Sequence, residues 1–310
     1  MKCKCACLNP NSDENEENPT KNPHLSKLKN DYLYHIALDT ETMNLVDAFG
    51  DTKFVCMGGS PTRMYAFAKL IMQEIGYHLP FGTKLLDISE KADRFAMYKV
   101  GPVISVSHGM GCPSIGILLN ELIKLMYYAK CKNPVFFRLG TCGGIGHKAG
   151  TLIVSEDACN GLLKKEYSIP VLGKVLNRPT ELDKKLCDEL KSLSQADDDF
   201  QIVSGTTMCT DDFYEGQARL DGAFCNYTED DKMNFLKLLQ SKGVTNIEME
   251  ATTFAAFTQA AGIKAGIICV ALLNRLEGDQ ISTPKDVLTE WQIRPQILVT
   301  RYIKKNLEIK

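Results

Sequence analysis

Apolar, β-rich runs alternate along this chain with longer helix-patterned stretches, and that alternation leaves few folds open. "KFVCMGG", "PVISVSH", "PVFFRLGT", "TLIVSEDA", "FQIVSGTTMCT" and "AGIICVALLN" are almost unbroken apolar segments, as strands buried on both faces must be. Between them, residues 114–130 ("SIGILLNELIKLMYYAK") place apolar side chains at i, i+3, i+4 and i+7, the pattern of a helix lying on a sheet. "DDKMNFLKLLQSKG" is amphipathic and stops at Gly243, "ATTFAAFTQAAG" stops at Gly262, and residues 284–304 form another helix candidate. Strands of this kind alternating with helices predict an α/β protein, one domain with helices on both faces of its sheet. Ligands of such sheets sit where polar residues interrupt the apolar runs at strand ends.

Composition narrows the function classes. Of 310 residues, 44% are hydrophobic and 24% charged, with a formal net charge of -2, so no basic footprint for nucleic acid is present. No run reaches the roughly 18 apolar residues of a membrane span, and the polar start has no signal-peptide core. A cytoplasmic protein with no membrane partner is expected. Of its twelve cysteines, those such as Cys56, Cys112, Cys131, Cys209 and Cys269 lie scattered in apolar runs, as buried thiols do in a reducing compartment. "MKCKCAC" sets Cys3, Cys5 and Cys7 in alternation, but zinc pairs use wider spacing and Lys2 stands where myristoylation needs glycine. Residues 1–30 are polar and are expected to form a flexible tail, leaving residues 31–310 as the folded domain.

Five interruptions carry chemistry. In "MGGSPTRM", Gly58 and Gly59 follow a strand, with Arg63 four residues beyond Gly59. In "FFRLGTCGGIG", Arg138 ends an apolar run, followed by Thr141, Gly143 and Gly144. A buried arginine needs a negative partner, and this stretch supplies none. Each loop alone reads equally as a tight turn; together, two glycine-rich strand ends with arginines suit a tetrahedral dianion. No G-x-x-x-x-G-K-[ST] occurs, and "GTCGGIG" lacks the dinucleotide spacing. In "FYEGQARLDG", Gln217 and Arg219 would face the same way on an extended segment. Their donors and acceptors match the uracil edge, with Phe213 available to stack; a solvated loop is the alternative. In "NIEMEATTFAAF", Glu248 and Glu250 mark a strand-to-helix passage and suit vicinal hydroxyls, although helix N-terminal charge would explain one of them. In "ALLNRLEGDQIS", Arg275 ends a strand without a local partner.

These motifs in this order, with "MYKVGPVISVSHGMGCPS", resemble the uridine phosphorylases of the nucleoside phosphorylase I family, animal-type members above all. The likeness runs from about Tyr34 to the C-terminal helix. It implies a three-layer α/β/α domain around a central mixed β-sheet. The resemblance implies a phosphate site of Gly59, Arg63, Arg138 and Thr141, with Arg94 of "ADRFAMYK" reaching in from a neighbouring subunit. It further implies a uracil site of Phe213, Gln217, Arg219, Arg275 and Gly143, and a ribose site of Met249 and Glu250 with His35 from the neighbour. A homodimer follows from that sharing. The catalytic set would be Arg138, Gln217, Arg219, Glu250 and Arg275, with phosphate as co-substrate, no cofactor and no metal.

Three departures from the family pattern stand out. Cys142 occupies a position where many members have Ser or Thr, and Ala218 replaces a frequent glycine. Phe95 stands where bacterial members place a potassium-binding Glu, so no potassium ion is expected. Arg275 occupies the strand-end position where purine phosphorylases of this fold carry an Asp, which implies a pyrimidine substrate. The competing readings are a catalytically silent nucleoside-binding homologue, a nucleoside hydrolase and a dinucleotide-binding oxidoreductase.

Overall fold

Phe136 and Phe137, neighbours in one apolar run, are both fully buried but belong to different cores. That split follows from the two-residue period of a strand. It divides the whole molecule into a sheet with helices on each side. The structure, a computed structural model, describes residues 20–309. In chain order it contains β1 (Tyr32–Leu33), β2 (Leu38–Asp39), α1 (Leu45–Phe49), β3 (Phe54–Gly58), α2 (Pro61–Glu74), β4 (Met97–Val100), β5 (Val103–Ser107) and α3 (Cys112–Tyr128). Next come β6 (Val135–Gly144), β7 (Leu152–Cys159), β8 (Glu166–Val171), β9 (Lys174–Pro179), α4 (Lys184–Lys191) and β10 (Ile202–Cys209). The chain closes with α5 (Glu229–Ser241), β11 (Val244–Glu248), α6 (Ala251–Ala260), β12 (Lys264–Asn274) and α7 (Lys285–Asn306).

The central sheet has eight strands in the order β11-β10-β7-β12-β6-β3-β5-β4. It is mixed: β3 is parallel to β5 and β6, and β12 to β6, whereas β4 and β7 run antiparallel to β5 and β12. Side chains of α1, α3 and α6 pack with one face, including Val55, Met57 and Phe136. Those of α2, α4 and α7 pack with the other, including Cys56, Phe137 and Leu139. The fold class is therefore the one expected from sequence and resemblance. One feature lay outside that expectation. The far end of β6 also pairs antiparallel with β11, Asn246 opposite Gly144 and Ile247 opposite Gly143, so one half of the sheet closes on itself.

All six apolar runs quoted above contain strands, and all four helix candidates contain helices. The β8–β9 hairpin and helices α1, α2 and α4 were not anticipated. For α2 a signal existed: Ser60 accepts a hydrogen bond from the Arg63 amide as N-cap and Pro61 stands at the first helical position. Cys3, Cys5 and Cys7 lie outside the described residues. The stretch from 20 to 30 is largely exposed and contains one short 3₁₀ turn, Leu25–Lys27. Among the described residues no helix is long and apolar enough to cross a membrane.

Candidate active site

A cavity of about 220 Å³ opens where β3, β5, β10, β11 and β12 end and where β6 turns glycine-rich. Gly59, Arg63, Arg138, Thr141, Gly143, Phe213, Gln217, Arg219, Met249, Glu250 and Arg275 all line it. Residues more than two hundred positions apart in sequence thus share one wall. His35 and Arg94 do not line it. His35 is held by Glu121 of α3, with Nδ1 2.7 Å from Oε1 and the backbone amide also donating to that carboxylate. Arg94 is exposed beside a left-handed Asp93 and has no ion pair among the described residues.

The anion-suited end is built on β3 and β6. Met57 and Arg138 are register partners, which brings the Gly58–Gly59 turn beside the Arg138 guanidinium. Arg138 is buried and does have carboxylate partners, supplied by the end of β11 and the start of α6 rather than by its own strand. Its Nη2 lies 2.8 Å from Glu248 Oε2 and also donates to Glu250, while Nη1 donates to Cys269 Sγ at 3.0 Å. Burial works against this charge, but Glu248, Cys269 and Glu250 hold the guanidinium firmly protonated. Its Nε is buried with no partner. A side chain at Gly140 would put its Cβ 2.4 Å from Arg138 Nη1, so the strand needs glycine where that arginine folds back. Arg63 lines the same end, and burial together with the nearby Arg138 charge lowers its pKa.

Glu248 and Glu250 divide their roles at the β11–α6 passage. Glu248 accepts the amides of Glu250 (3.0 Å) and Ala251 (2.9 Å), so it caps the start of α6, where Glu250 offers no side-chain cap. Helix N-terminal stabilisation, one of the two sequence readings, accounts for Glu248. Glu250 instead points its Oε1 at the Gly111 amide (2.6 Å) and its Oε2 at Arg138. Burial pushes Glu248 up to about 7 against the pull of Arg138. For Glu250 burial also acts upward, but Arg138 and the hydrogen bonds it accepts bring the carboxyl below its ordinary value.

The opposite end is built from the segment after β10 and the end of β12. The extended geometry expected for Gln217 and Arg219 is not what forms. Glu215–Gln217 make a 3₁₀ turn and Ala218 is left-handed, with φ of 52°. Both side chains are nevertheless buried and face the cavity, so the solvated-loop reading falls. The Arg219 guanidinium lies 4.5 Å from the centre of the Phe213 ring and makes a two-pronged pair with Asp221 at 2.8 and 2.6 Å. Arg275 also corrects the sequence reading, because its partner is local: Nε donates to Asp279 Oδ1 at 3.1 Å, four residues on. Its Nη2 donates to the Gln217 carbonyl at 2.7 Å, which fixes the loop. Gly143 leaves room for it, since a Cβ there would lie 2.8 Å from Arg275 Cγ.

Sequence reasoning missed His108, which lies in the quoted "SHGMG" at the end of β5. It lines the cavity, is buried, has neither ring nitrogen paired, and is pushed down to about 3 by burial. An unpaired His ending an apolar strand was the available signal. Among the departures, Cys142 is buried in the cavity wall and Phe95 is buried near the His35 ring, 6.4 Å between centres.

Comparison with known proteins follows the same lines. The model of the phosphorylase superfamily matches residues 53–304. The chain is 51% identical to uridine phosphorylase 1 of Mus musculus, over 92% of this chain and 92% of that protein. It is 46% identical to the uridine and thymidine phosphorylase of Caenorhabditis elegans, over 95% and 97%. Among solved structures, uridine phosphorylase from Schistosoma mansoni in complex with uracil superposes with a TM-score of 0.88 at 39% identity, covering 93% of this chain and 99% of that one. Matches of this extent, on a fold whose strand ends gather these side chains, place the chain in the phosphorylase superfamily and, within it, in the uridine phosphorylase family.

Proposed function

We propose that this protein catalyses the reversible phosphorolysis of uridine to uracil and ribose 1-phosphate, as a homodimer in the cytoplasm serving pyrimidine salvage. The observation that carries the reading is a single cavity with three chemically distinct parts. Arg63 and Arg138 form an arginine-rich part, Glu250 and Met249 a carboxylate-bearing part, and Gln217 with Arg219 an amide–guanidinium pair beside the Phe213 ring. These three kinds of group suit phosphate, ribose and pyrimidine.

In the proposed reaction a phosphate oxygen bonds to C1′ while N1 of the base leaves with the bonding electron pair. The sugar becomes oxocarbenium-like and the base anionic, so catalysis rests on charge stabilisation and positioning. Phosphate held by Gly59, Arg63, Thr141 and Arg138 offsets the cationic sugar. On binding it would take over the Arg138 donor that Glu250 occupies, freeing that carboxylate for the ribose hydroxyls. Gln217, Arg219 and Arg275 stabilise the departing uracil over its oxygens. No electrons are gained or lost overall, so the reaction calls for no redox cofactor. His35 and Arg94 lie outside the cavity of their own chain, which favours their delivery to the site of a second copy.

The test is a phosphate titration of uridine cleavage, with uracil and ribose 1-phosphate quantified chromatographically. Uracil formed only with phosphate, and equimolar with ribose 1-phosphate, is the expected result. Cleavage without phosphate would make it a hydrolase; uridine bound but intact would make it a silent binder. Because one relative is a uridine and thymidine phosphorylase, thymidine belongs in the same assay.

A further inference from the structure

Beneath the base-reading end, Arg275 is joined to a buried aspartate and lysine that the reaction above leaves unused. Lys232, in the first turns of α5, is only 5% exposed and pairs with Asp279, Nζ to Oδ2 at 2.8 Å. Asp279 also receives Arg275, whose Nη2 lies 3.0 Å from Oδ1, and the Leu220 amide at 3.2 Å. Arg275 in turn holds the Gln217 carbonyl and keeps its Nη1 buried and unpaired. Burial works against the Arg275 charge, which Asp279 supports and Arg219 opposes.

Burying a lysine costs hydration and side-chain entropy, and here it is not needed to satisfy Asp279. That carboxylate already has a guanidinium and a backbone amide. The Arg219–Asp221 and Arg275–Asp279 pairs are each neutral, so they offer hydrogen bonds to a base but little net charge. Lys232 changes the balance: three cations face two carboxylates, and the cluster carries one surplus positive charge. In a desolvated site such a charge acts across intervening groups far more strongly than in water.

We infer that Lys232 supplies the net positive charge that stabilises the uracil anion as it leaves, acting through Asp279 and Arg275 without touching the base. This rests on the base-end assignment proposed above. Lys232 is thus a positioning residue for charge, and its contribution grows as the glycosidic bond breaks.

The experiment compares single-turnover phosphorolysis of uridine and 5-fluorouridine by the wild-type, Lys232→Met, Lys232→Arg and Asp279→Asn proteins. Fluorine withdraws electrons and stabilises the leaving anion by itself, so the rate ratio of the two substrates reports how much stabilisation the protein provides. Lys232→Met is expected to slow uridine cleavage about 10-fold or more, roughly 1.4 kcal/mol per tenfold, and to raise the 5-fluorouridine/uridine ratio. Lys232→Arg is expected to restore the wild-type ratio. Asp279→Asn breaks the same contact but adds net positive charge, so the ratio is expected to fall. A ratio that is unchanged in Lys232→Met, or that moves the same way in Lys232→Met and Asp279→Asn, would reduce Lys232 and Asp279 to scaffolding and overturn the inference. If Lys232→Met does not fold, the opposite shift in Asp279→Asn decides the question alone. A wild-type protein that leaves uridine intact would instead defeat the proposed function itself.

Discussion

At the scale of single residues, the site is built from arginines that already have partners. Arg219 is stacked on Phe213 and clamped by Asp221, which freezes its rotamer before any ligand arrives and lowers the entropy cost of reading a base. Its replacement therefore removes a preorganised donor. Arg219→Ala is expected to reduce turnover of uridine on the order of 100-fold while changing the phosphate KM far less; steady-state kinetics with each substrate varied would show it. Near-normal turnover would remove Arg219 from its assigned role. Ala218, between the two base-reading residues, holds a left-handed φ of 52° that costs an L-residue roughly 1 kcal/mol relative to glycine. Ala218→Gly is accordingly expected to stabilise the fold by about 0.5–1 kcal/mol, read from denaturant unfolding. The family's frequent glycine at this position has a conformational reason, which the spacing of Gln217 and Arg219 alone concealed.

At the scale of elements, the passage from β11 into α6 couples folding to protonation. Glu248 caps the helix and faces Arg138, yet its burial pushes its pKa up to about 7. The folded state therefore holds a proton there at pH values where the unfolded chain has released it. The stability this group contributes is fully present below the ordinary carboxylate range and is lost as pH rises through about 7. Glu248→Gln removes that dependence but keeps only one of the two amide contacts, because each amide is accepted by a different oxygen; that fixed cost does not change with pH. The Tm difference, variant minus wild type, is expected to grow from pH 5 to pH 8 in thermal unfolding. A difference that stays flat would mean that Arg138 keeps Glu248 ionised throughout. From the sequence, two acids at a strand–helix passage were visible. Which one capped the helix and which one faced the cavity was not, because that depends on how α6 leaves the sheet.

At the scale of the whole molecule, the proposed dimer makes a prediction that no single chain can satisfy. Arg94→Ala and Arg219→Ala would each inactivate the homodimer. In a mixed dimer, however, one cavity would keep its own Arg219 and receive an intact Arg94 from the other chain. Equal co-expression of the two variants is expected to recover roughly a quarter of wild-type activity through that one repaired site. Recovery at background level would place Arg94 at its own chain's cavity, and an active Arg94→Ala homodimer would place it outside catalysis.

The alternation of apolar runs and helical patterns was enough to determine the α/β class. Polar interruptions at strand ends were enough to find most of the cavity wall, because a charged residue in an apolar strand needs a reason to be there. The sequence alone did not reveal Asp279 as the partner of Arg275, although it lies four residues away, since its side chain has to turn back across the end of β12. Lys232 was hidden more deeply, because a lysine on an amphipathic helix normally marks the solvated face, and only the seating of α5 over Asp279 buries it. The closing of β6 onto β11 was decided by tertiary structure as well. A strand's hydrogen-bond partners are set by how the sheet bends, and local composition does not encode that bend.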